Sequence, residues 1–417
     1  MGGAKKNIIG FLTDNRAVLI MGMTALIIAG TADLFAGLLL STMEDYLYLI
    51  PGMMILIYSA IGMRGNIFGA MGSRIGTAMN MGTFEMSFRK GTALRANVES
   101  TIALTLVMSV LMGFATWIIA TLFFSGTRSA WDFVFISTLG GFLAGLIVML
   151  FNLLIAWEGN RREWDVDNIT APLIAAIGDI VTMPMIFLST WAFLQMGTWA
   201  DGETVVEVLA LLMIAATIVF TAYVVRQQSG RHDYRGEARR ITIQSMPVLI
   251  GCLFFEIGAG VIIQQEQDSL VAYSVLMIML PAFLNQGNAL SGMLTSRLSS
   301  KIHLGTVEPR AMPSRPALSD FLVMYICAMI TFFYIGSVSY GAAFLTASTD
   351  VSYVVTIAII MIAGFLATTL LNVLSYYVAI ATTRFGLDPD DHSIPITSSV
   401  MDLLGALVLV TVIGLFI

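Results

Sequence analysis

The 417 residues are 57% hydrophobic and only 12% charged, with a net charge of −6 and a mean hydropathy of +0.86. No soluble domain of this length needs so much apolar surface to fill one core, so the composition excludes an ordinary water-soluble globular protein. Nothing in the charge distribution indicates a nucleic-acid partner. The expected solvent for most side chains is therefore a lipid bilayer.

Apolar runs of twenty or more residues recur along the chain, each long enough at about 1.5 Å per residue to cross about 30 Å of hydrocarbon. We expect a short cytoplasmic N-terminus at 1–16, followed by eleven transmembrane helices in an all-α polytopic membrane protein. The predicted helices are 17–41, 46–72, 98–124, 132–157, 170–197, 205–225, 241–265, 270–296, 318–346, 353–383 and 394–417.

Basic residues sort to one side of this arrangement. The loops on the opposite side carry Asp and Glu, with Arg128 as their only basic residue. By the positive-inside rule the N-terminus is cytoplasmic and the C-terminus external, in a multi-pass protein of the cell membrane. The segments that hold the Lys and Arg residues of the cytoplasmic side are 5–16, 74–95, 161–162, 226–240, 297–315 and 384.

The chain repeats itself at a fixed offset of 223 in the residue numbering. This offset predicts a first five-helix unit at 17–197, a linker with helix 6 at 198–240 and a second five-helix unit at 241–417. Five crossings plus the linking helix make the two units parallel, so a pseudo-twofold axis along the membrane normal encloses a central pathway between them. Aligned segments include Ser73-Arg74 with Ser296-Arg297 and 141–144 (GFLA) with 364–367 (GFLA). Gly65-Asn66 aligns with Gly287-Asn288 at an offset of 222, which indicates a one-residue bulge or insertion.

Four carboxylates lie inside the predicted helices, namely Asp33, Asp179, Glu256 and Asp402, and each would cost about 2.5–3.5 kcal/mol at mid-membrane. The repeat aligns Asp33 with Glu256 and Asp179 with Asp402. We expect Asp179 and Asp402 to face each other across the axis, where a divalent cation would relieve their repulsion. We therefore predict that all four bind metal. The structural alternative is a hydrogen-bonded contact that only packs the bundle.

Glycine and amide side chains stand together inside predicted helices 2 and 8. Glycines expose backbone carbonyls, and an Asn amide offers a hard oxygen ligand, so these segments predict a pore lining. For the glycines alone, close helix packing of the GxxxG type is the alternative. Arg64 either snorkels to the cytoplasmic surface or pairs with a carboxylate. The predicted pore-lining residues are Gly65, Asn66, Asn285, Gly287 and Asn288.

Ligand chemistry narrows the expected ion. Hard oxygen donors without an intramembrane His or Cys cluster suit Mg²⁺ as the substrate, with Mn²⁺ or Ca²⁺ as alternatives. Cys252 and Cys327 lie in apolar runs and are interpreted as core residues, while the histidines fall in predicted loops. No Walker A, dinucleotide or HExxH motif is present, so we do not expect an ATP-driven pump. We expect a transport protein and not an enzyme. The histidines are His232, His303 and His392.

These features resemble the MgtE family of magnesium channels and, in layout, the eukaryotic solute carrier family forty-one, whose members carry two such units in one chain. The resemblance rests on the Gly-Asn and Ser-Arg pairs quoted above and on Pro172 and Pro395, each followed seven residues later by Asp179 or Asp402. It implies that these two aspartates line the pore and hold Mg²⁺. Bacterial members carry a large regulatory N-terminal region, whereas we expect none before helix 1 here.

The leading hypothesis is a channel-like divalent cation pathway, with ions passing Asp33 and Glu256 and then Asp179 and Asp402. A sodium- or proton-coupled exchanger uses the same residue types and remains open. A remote alternative is an intramembrane aspartyl protease, although Ala176 stands where its motif needs glycine. The sequence does not distinguish a monomer acting as a pseudo-dimer from a higher homo-oligomer.

Overall fold

The computed structural model describes residues 16–162, 166–227, 236–346, 351–385 and 394–417, and these ranges are helical without any β-strand. His232 and His392 lie outside the described residues. The helices are α1 (Arg16–Ser41), α2 (Glu44–Leu49), α3 (Met53–Asn80), α4 (Ala93–Phe123), α5 (Ala130–Arg162), α6 (Val166–Met196), α7 (Gly202–Val225), α8 (Glu237–Gln265), α9 (Gln267–Ala272), α10 (Ser274–His303), α11 (Arg315–Thr346), α12 (Tyr353–Phe385) and α13 (Ile394–Phe416).

Ten of these helices are long and apolar enough to cross a membrane, counting only the described part of the chain. The helix α10 has 30 residues but is not one of the ten. Its centre carries Asn285, Gln286 and Asn288, which lower its hydropathy. The structure therefore confirms a multi-pass, all-helical membrane protein, while the count of eleven crossings stays a prediction.

Two short helices precede α3 and α10, and the hydropathy pattern did not separate them from the long helices. The sequence predicts a continuous helix 2 over 46–72. In the structure the chain turns between α2 and α3 at Pro51-Gly52, and Gly52 has a φ of 95°. This left-handed conformation favours glycine, because a Cβ is strained there. In the other half the break falls at Tyr273, which is extended between α9 and α10.

The helix bounds recur at the same offset as the sequence. Adding 223 to the bounds of α2 gives those of α9, and adding it to the bounds of α5, Ala130–Arg162, gives those of α12, Tyr353–Phe385. The helix α7 is the one long described helix without a counterpart. The repeats and the unit boundaries at 17–197, 198–240 and 241–417 stay predictions.

The two halves interlock through their first helices. The helix α1 packs against α6 of its own half and also against α10 and α11 of the other half. In the same way, α8 packs against α13 of its own half and against α3 and α4 of the other. Each first helix therefore joins the two halves together.

Glycine makes these two crossings close. A Cβ built on Gly37 of α1 would overlap the backbone carbonyl of Ile278 in α10, and one built on Gly260 of α8 would lie 2.7 Å from the Cα of Ile55 in α3. The two glycines are related by the offset of 223, and so are the two isoleucines. The halves therefore meet at two matching points where only glycine leaves room for the facing backbone.

Burial separates the central helices from the peripheral ones. In the most apolar window of each span, α3 is 72% buried, whereas α7 is only 17% buried. The helix α7 packs on α4, α5 and α8 at the outside of the bundle. As predicted, Cys252 and Cys327 are free and buried. The central helix α3 is therefore shielded from the surroundings, whereas α7 lies at the periphery.

We expect Gly37→Ala to destabilise the protein by about 1–3 kcal/mol, because the added methyl group forces α1 away from the Ile278 carbonyl. Thermal unfolding of the purified protein in detergent measures the effect. Gly341→Ala is the matched control, since a Cβ at this exposed position of α11 meets no atom within 4 Å. Equal melting temperatures for the two variants would contradict the close crossing.

Candidate functional site

The four intramembrane carboxylates form two pairs, each within one half of the chain. Asp33 of α1 lies within hydrogen-bonding reach of Asp179 of α6, and Glu256 of α8 lies within reach of Asp402 of α13. All four residues are buried, with side chains at most 6% exposed. Asp179 also lies close enough to Asp402 for the two charges to interact. That Asp179 and Asp402 face each other across the axis stays a prediction.

A cavity of about 390 Å³ joins the two pairs. Asp179, Glu256 and Asp402 line it, whereas Asp33 is not part of the lining. At about 30 Å³ per water, this volume holds several water molecules together with a small cation. The cavity therefore brings three of the four predicted metal-binding carboxylates to one polar space.

The cavity runs along α3 and α10 towards one end of the bundle. Its lining extends on α3 from Tyr58 to Ser73, which is about 22 Å at the helical rise. On α10 it reaches Ser296, which is exposed. This end precedes Arg74 and Arg297 and is the predicted cytoplasmic side, so the cavity connects the carboxylates with that surface.

Packed backbone closes the opposite end. Residues 53–57 of α3 and 275–280 of α10 are at most 2% exposed. The close crossings at Gly37 and Gly260 lie at this level, against Ile278 and Ile55. The polar space is therefore accessible from one side of the bundle in this conformation.

Amide and hydroxyl groups connect the acids to the central helices. Asn285 donates to Asp33 and Asn288 donates to Asp402, each at 2.9 Å. Asn66 of α3 donates to the Ser399 hydroxyl at 2.8 Å, and that hydroxyl donates to Glu256 at 2.7 Å. The predicted residues Asn66, Asn285 and Asn288 thus lie in the site and line the cavity.

Two hydroxyl groups of the site, those of Ser398 and Ser399, are absent from the residues predicted from the sequence. Ser398 donates to the side-chain amide oxygen Oδ1 of Asn66 at 2.7 Å, and Ser399 links Asn66 to Glu256. Their position three to four residues before Asp402 places them one helical turn away on the same face. That spacing was the signal which could have identified them.

The acids of the two first helices, Asp33 and Glu256, differ in length, and the residues that face them differ in the opposite sense. Asp33 meets the Asn285 side chain, whereas its longer counterpart Glu256 reaches Gly62, the residue that aligns with Asn285 at the offset of 223. A Cβ built on Gly62 would overlap the Glu256 carboxylate. A short acid with an amide in one half therefore corresponds to a long acid with a glycine in the other.

The glycines of α3 are of two kinds. A Cβ at Gly65 or Gly69 would meet no atom within 4 Å, and both residues line the cavity. This arrangement favours the pore-lining interpretation over close GxxxG packing for Gly65. Gly287 of α10 is buried and is not part of the cavity lining; the nearest atom to a Cβ there would be Met401 Cε at 3.9 Å.

Arg64 does not reach the surface. Its side chain is buried, and Nη1 donates to the Thr182 hydroxyl at 2.6 Å, one turn after Asp179 on α6. The guanidinium lies close enough to Asp179 for an electrostatic attraction, while its hydrogen bond goes to Thr182 and not to Asp179. Of the two alternatives for Arg64, snorkelling is therefore wrong.

Several oxygen atoms of the site lack a donor. These acceptors are buried in an apolar bundle, where an unpaired polar atom costs free energy. Within the described ranges, no three Asp, Glu, His or Cys side chains come together as a metal-binding group. A cation here would need the amide and hydroxyl oxygens, or water, to complete its ligands. The unpaired oxygens are Asp33 Oδ1, Asp179 Oδ2, Asn288 Oδ1 and Asp402 Oδ2.

Comparison with known proteins finds one family in both halves of the chain. The family model MgtE, described as a divalent cation transporter, matches residues 57–190 and 280–412, which together are more than half of the chain. The first residues of the two matched ranges are related by the same offset of 223. Each range contains one of the aspartates at the cavity, Asp179 or Asp402.

Curated relatives match the chain over nearly its full length. Solute carrier family 41 member 3 of Rattus norvegicus is 20% identical over 91% of this chain and 83% of its own length. Solute carrier family 41 member 2 of Xenopus laevis is 22% identical over 92% of this chain and 69% of its own length. A solved structure, the eukaryotic MATE transporter AtDTX14, covers 97% of this chain and is itself covered to 96%, at 11% identity and a TM-score of 0.39.

Proposed function

The chain belongs to the MgtE family of divalent cation transporters, and from that premise we propose that it moves Mg²⁺ through the cavity between its two halves. The observation that carries the proposal is the lining of this cavity by the Asp179, Glu256 and Asp402 carboxylates. Carboxylate, amide and hydroxyl oxygens are hard ligands, which suit Mg²⁺ and, as further substrates, Mn²⁺ or Ca²⁺.

The proposed architecture has eleven crossings in two parallel five-helix repeats. Two observations support it. The helix bounds recur at the offset of 223, and α1 and α8 each pack against the other half in the same way. In this arrangement α10 is the crossing that corresponds to α3, and its polar centre faces the cavity rather than lipid. The N-terminus is then cytoplasmic and the C-terminus external, in the cell membrane.

The acids at the cavity provide the attraction that replaces part of the water shell of the ion. A doubly charged ion moving through a membrane potential of 100 mV gains about 4.6 kcal/mol, at about 2.3 kcal/mol per charge, so uptake needs no other energy source. Mg²⁺ keeps several waters, and the cavity volume accommodates them. We propose that the partly hydrated ion passes the three lining carboxylates and the Asn66 and Asn288 amides on its way through the cavity.

A coupled exchanger is the second candidate, and one observation favours it. Among the described residues, the cavity lining reaches the exposed Ser296 at one end, and the other end is closed at the Gly37 and Gly260 crossings. Alternating access requires such a one-sided cavity. A channel would instead open this packed end while the first remains open. The leading proposal is the channel, because the lining carboxylates alone account for passive movement.

Neutralising the cavity acids is the direct test of the proposed pathway. We expect Asp402→Asn and Asp179→Asn each to lower Mg²⁺ flux into proteoliposomes at least about tenfold, because each removes a negative charge from the cavity lining. Asp45→Asn is the control, since Asp45 is an exposed acid outside the cavity. Undiminished flux in the double variant would remove both aspartates from the pathway.

Filling the cavity without changing charge gives an independent test. We expect Gly65→Leu to reduce Mg²⁺ flux at least about tenfold, because the new side chain projects into the open space beside Asn66. Gly251→Leu is matched to it, since Gly251 is an exposed helical glycine whose Cβ also meets no atom within 4 Å. Equal flux in the two variants would mean that ions do not pass Gly65.

The channel and the exchanger differ in what drives them. For a channel, Mg²⁺ flux into proteoliposomes follows only the membrane potential and the Mg²⁺ gradient. We expect the flux to be unchanged when a sodium or proton gradient is imposed at constant potential. A flux that follows either imposed gradient would establish the exchanger instead.

A further inference from the structure

The two halves of the site are not equally charged. Arg64 sits beside Asp179 in the first half. The residues that can align with Arg64 are Gln286, at the slipped register, and Gly287, at the fixed offset, and neither is charged. In the second half Ser399 donates to Glu256 and Asn288 donates to Asp402, and neither donor is charged. The first pair thus has a built-in positive charge that the second pair lacks.

The two halves also differ in how many acids a cavity ion can reach. In the second half both Glu256 and Asp402 line the cavity, whereas in the first half only Asp179 does and Asp33 lies behind it. Asn288 adds an oxygen, Oδ1, that has no donor and lies on a residue bonded to Asp402. The second half therefore contributes more carboxylate ligands to the cavity lining than the first.

The residue that holds Arg64 in place has no equivalent in the second half. Thr182 accepts from the guanidinium and donates to the Gly178 carbonyl at 2.5 Å. At the offset of 223, Thr182 aligns with Gly405, which has no side chain to hold an arginine. The guanidinium site is consequently a feature of one half only.

Building on the proposed function, we infer that Arg64 takes the place of a second bound cation, so that the chain holds a single divalent cation on Glu256, Asp402 and Asn288. Two ionised carboxylates need two positive charges to be neutral in an apolar interior. The cation supplies both at Glu256 and Asp402. At Asp179 the guanidinium already supplies one, and this lowers the attraction for a second cation in the same cavity.

Metal-binding stoichiometry tests this inference. The experiment titrates the purified full chain in lipid nanodiscs with Mg²⁺ and records the heat. We expect the unchanged protein to bind one Mg²⁺ and Arg64→Gln to bind two, because the substitution leaves Asp33 and Asp179 without their counter-charge. Arg64→Lys keeps the charge and should bind one. Two ions in the unchanged protein, or one ion at unchanged affinity in Arg64→Gln, would overturn the inference.

A second pair of variants decides the question if Arg64→Gln does not fold. Asp33 and Glu256 are counterparts in the repeat, and each can be neutralised by an amide of the same shape. We expect Glu256→Gln to weaken Mg²⁺ binding about thirtyfold or more, since it removes a direct charge partner. Asp33→Asn should change the affinity less than about threefold, because Arg64 still balances Asp179. Equal losses in the two variants contradict the asymmetric site.

The same titration separates this inference from the proposed function. If the unchanged protein neither binds Mg²⁺ nor carries Mg²⁺ flux, the proposed function itself fails. If flux is present and follows Asp402 but the stoichiometry is two, the transport proposal stands and the single-cation site is wrong. If flux is present without any Mg²⁺ binding in the titration, the single-cation site is likewise wrong.

Discussion

Burying four carboxyl groups among apolar helices is the constraint on which the rest of this structure depends. An ionised carboxylate at this depth is costly unless charges and hydrogen bonds compensate it. The chain supplies that compensation from several elements at once: amides from α3 and α10, hydroxyl groups from α13 and a guanidinium from α3. Asp33, Asp179 and Asp402 each keep one oxygen without a donor, and the last two of these residues line the cavity. The unmet requirement is for positive charge, which is what a divalent cation brings.

The interlocking of the halves follows from where the acids must lie. Asp33 and Glu256 belong to the first helix of each half, and these helices cross into the other half through the glycine contacts with α10 and α3. The hydrogen bond from Asn285 to Asp33 therefore joins the two halves, as does the link from Asn66 through Ser399 to Glu256. A change in how the halves pack would change the surroundings of the acids, so binding and packing are physically coupled.

The long helices, the offset of 223 and the polar residues of the site could be predicted from the sequence. Hydropathy indicates the helices, internal similarity gives the offset, and polar residues stand out within apolar runs. The cavity brings together Asp179, Glu256 and Asp402 with Asn66, Asn285 and Asn288, all of which had been selected as polar groups in apolar runs. Hydropathy could not separate α2 from α3, since a short amphipathic helix and a turn do not interrupt an apolar run. It also could not predict that α1 and α8 each pack against the other half, because helix packing in a bundle depends on contacts between residues distant in sequence.

Charge asymmetry was visible in the sequence as Arg64, but its meaning depends on a contact that only the fold supplies. An arginine near a helix end can extend to the lipid surface, and periodicity alone does not exclude this. Thr182, 118 residues away, fixes the guanidinium inside the bundle one turn from Asp179. The side chain that decides its role belongs to another helix, and no local rule identifies it.

A single chain with two related halves can accept differences that a symmetric dimer cannot. In a dimer of identical subunits, any substitution appears twice, so an arginine beside one acid pair would also stand beside the other. Here the halves have diverged in a compensated way, with Asp33 and Asn285 in one and Glu256 and Gly62 in the other. The number of acids that line the cavity also differs, with one in the first half and two in the second. Covalent linkage of the halves therefore allows one of them to specialise in holding the cation while the other supplies a fixed counter-charge.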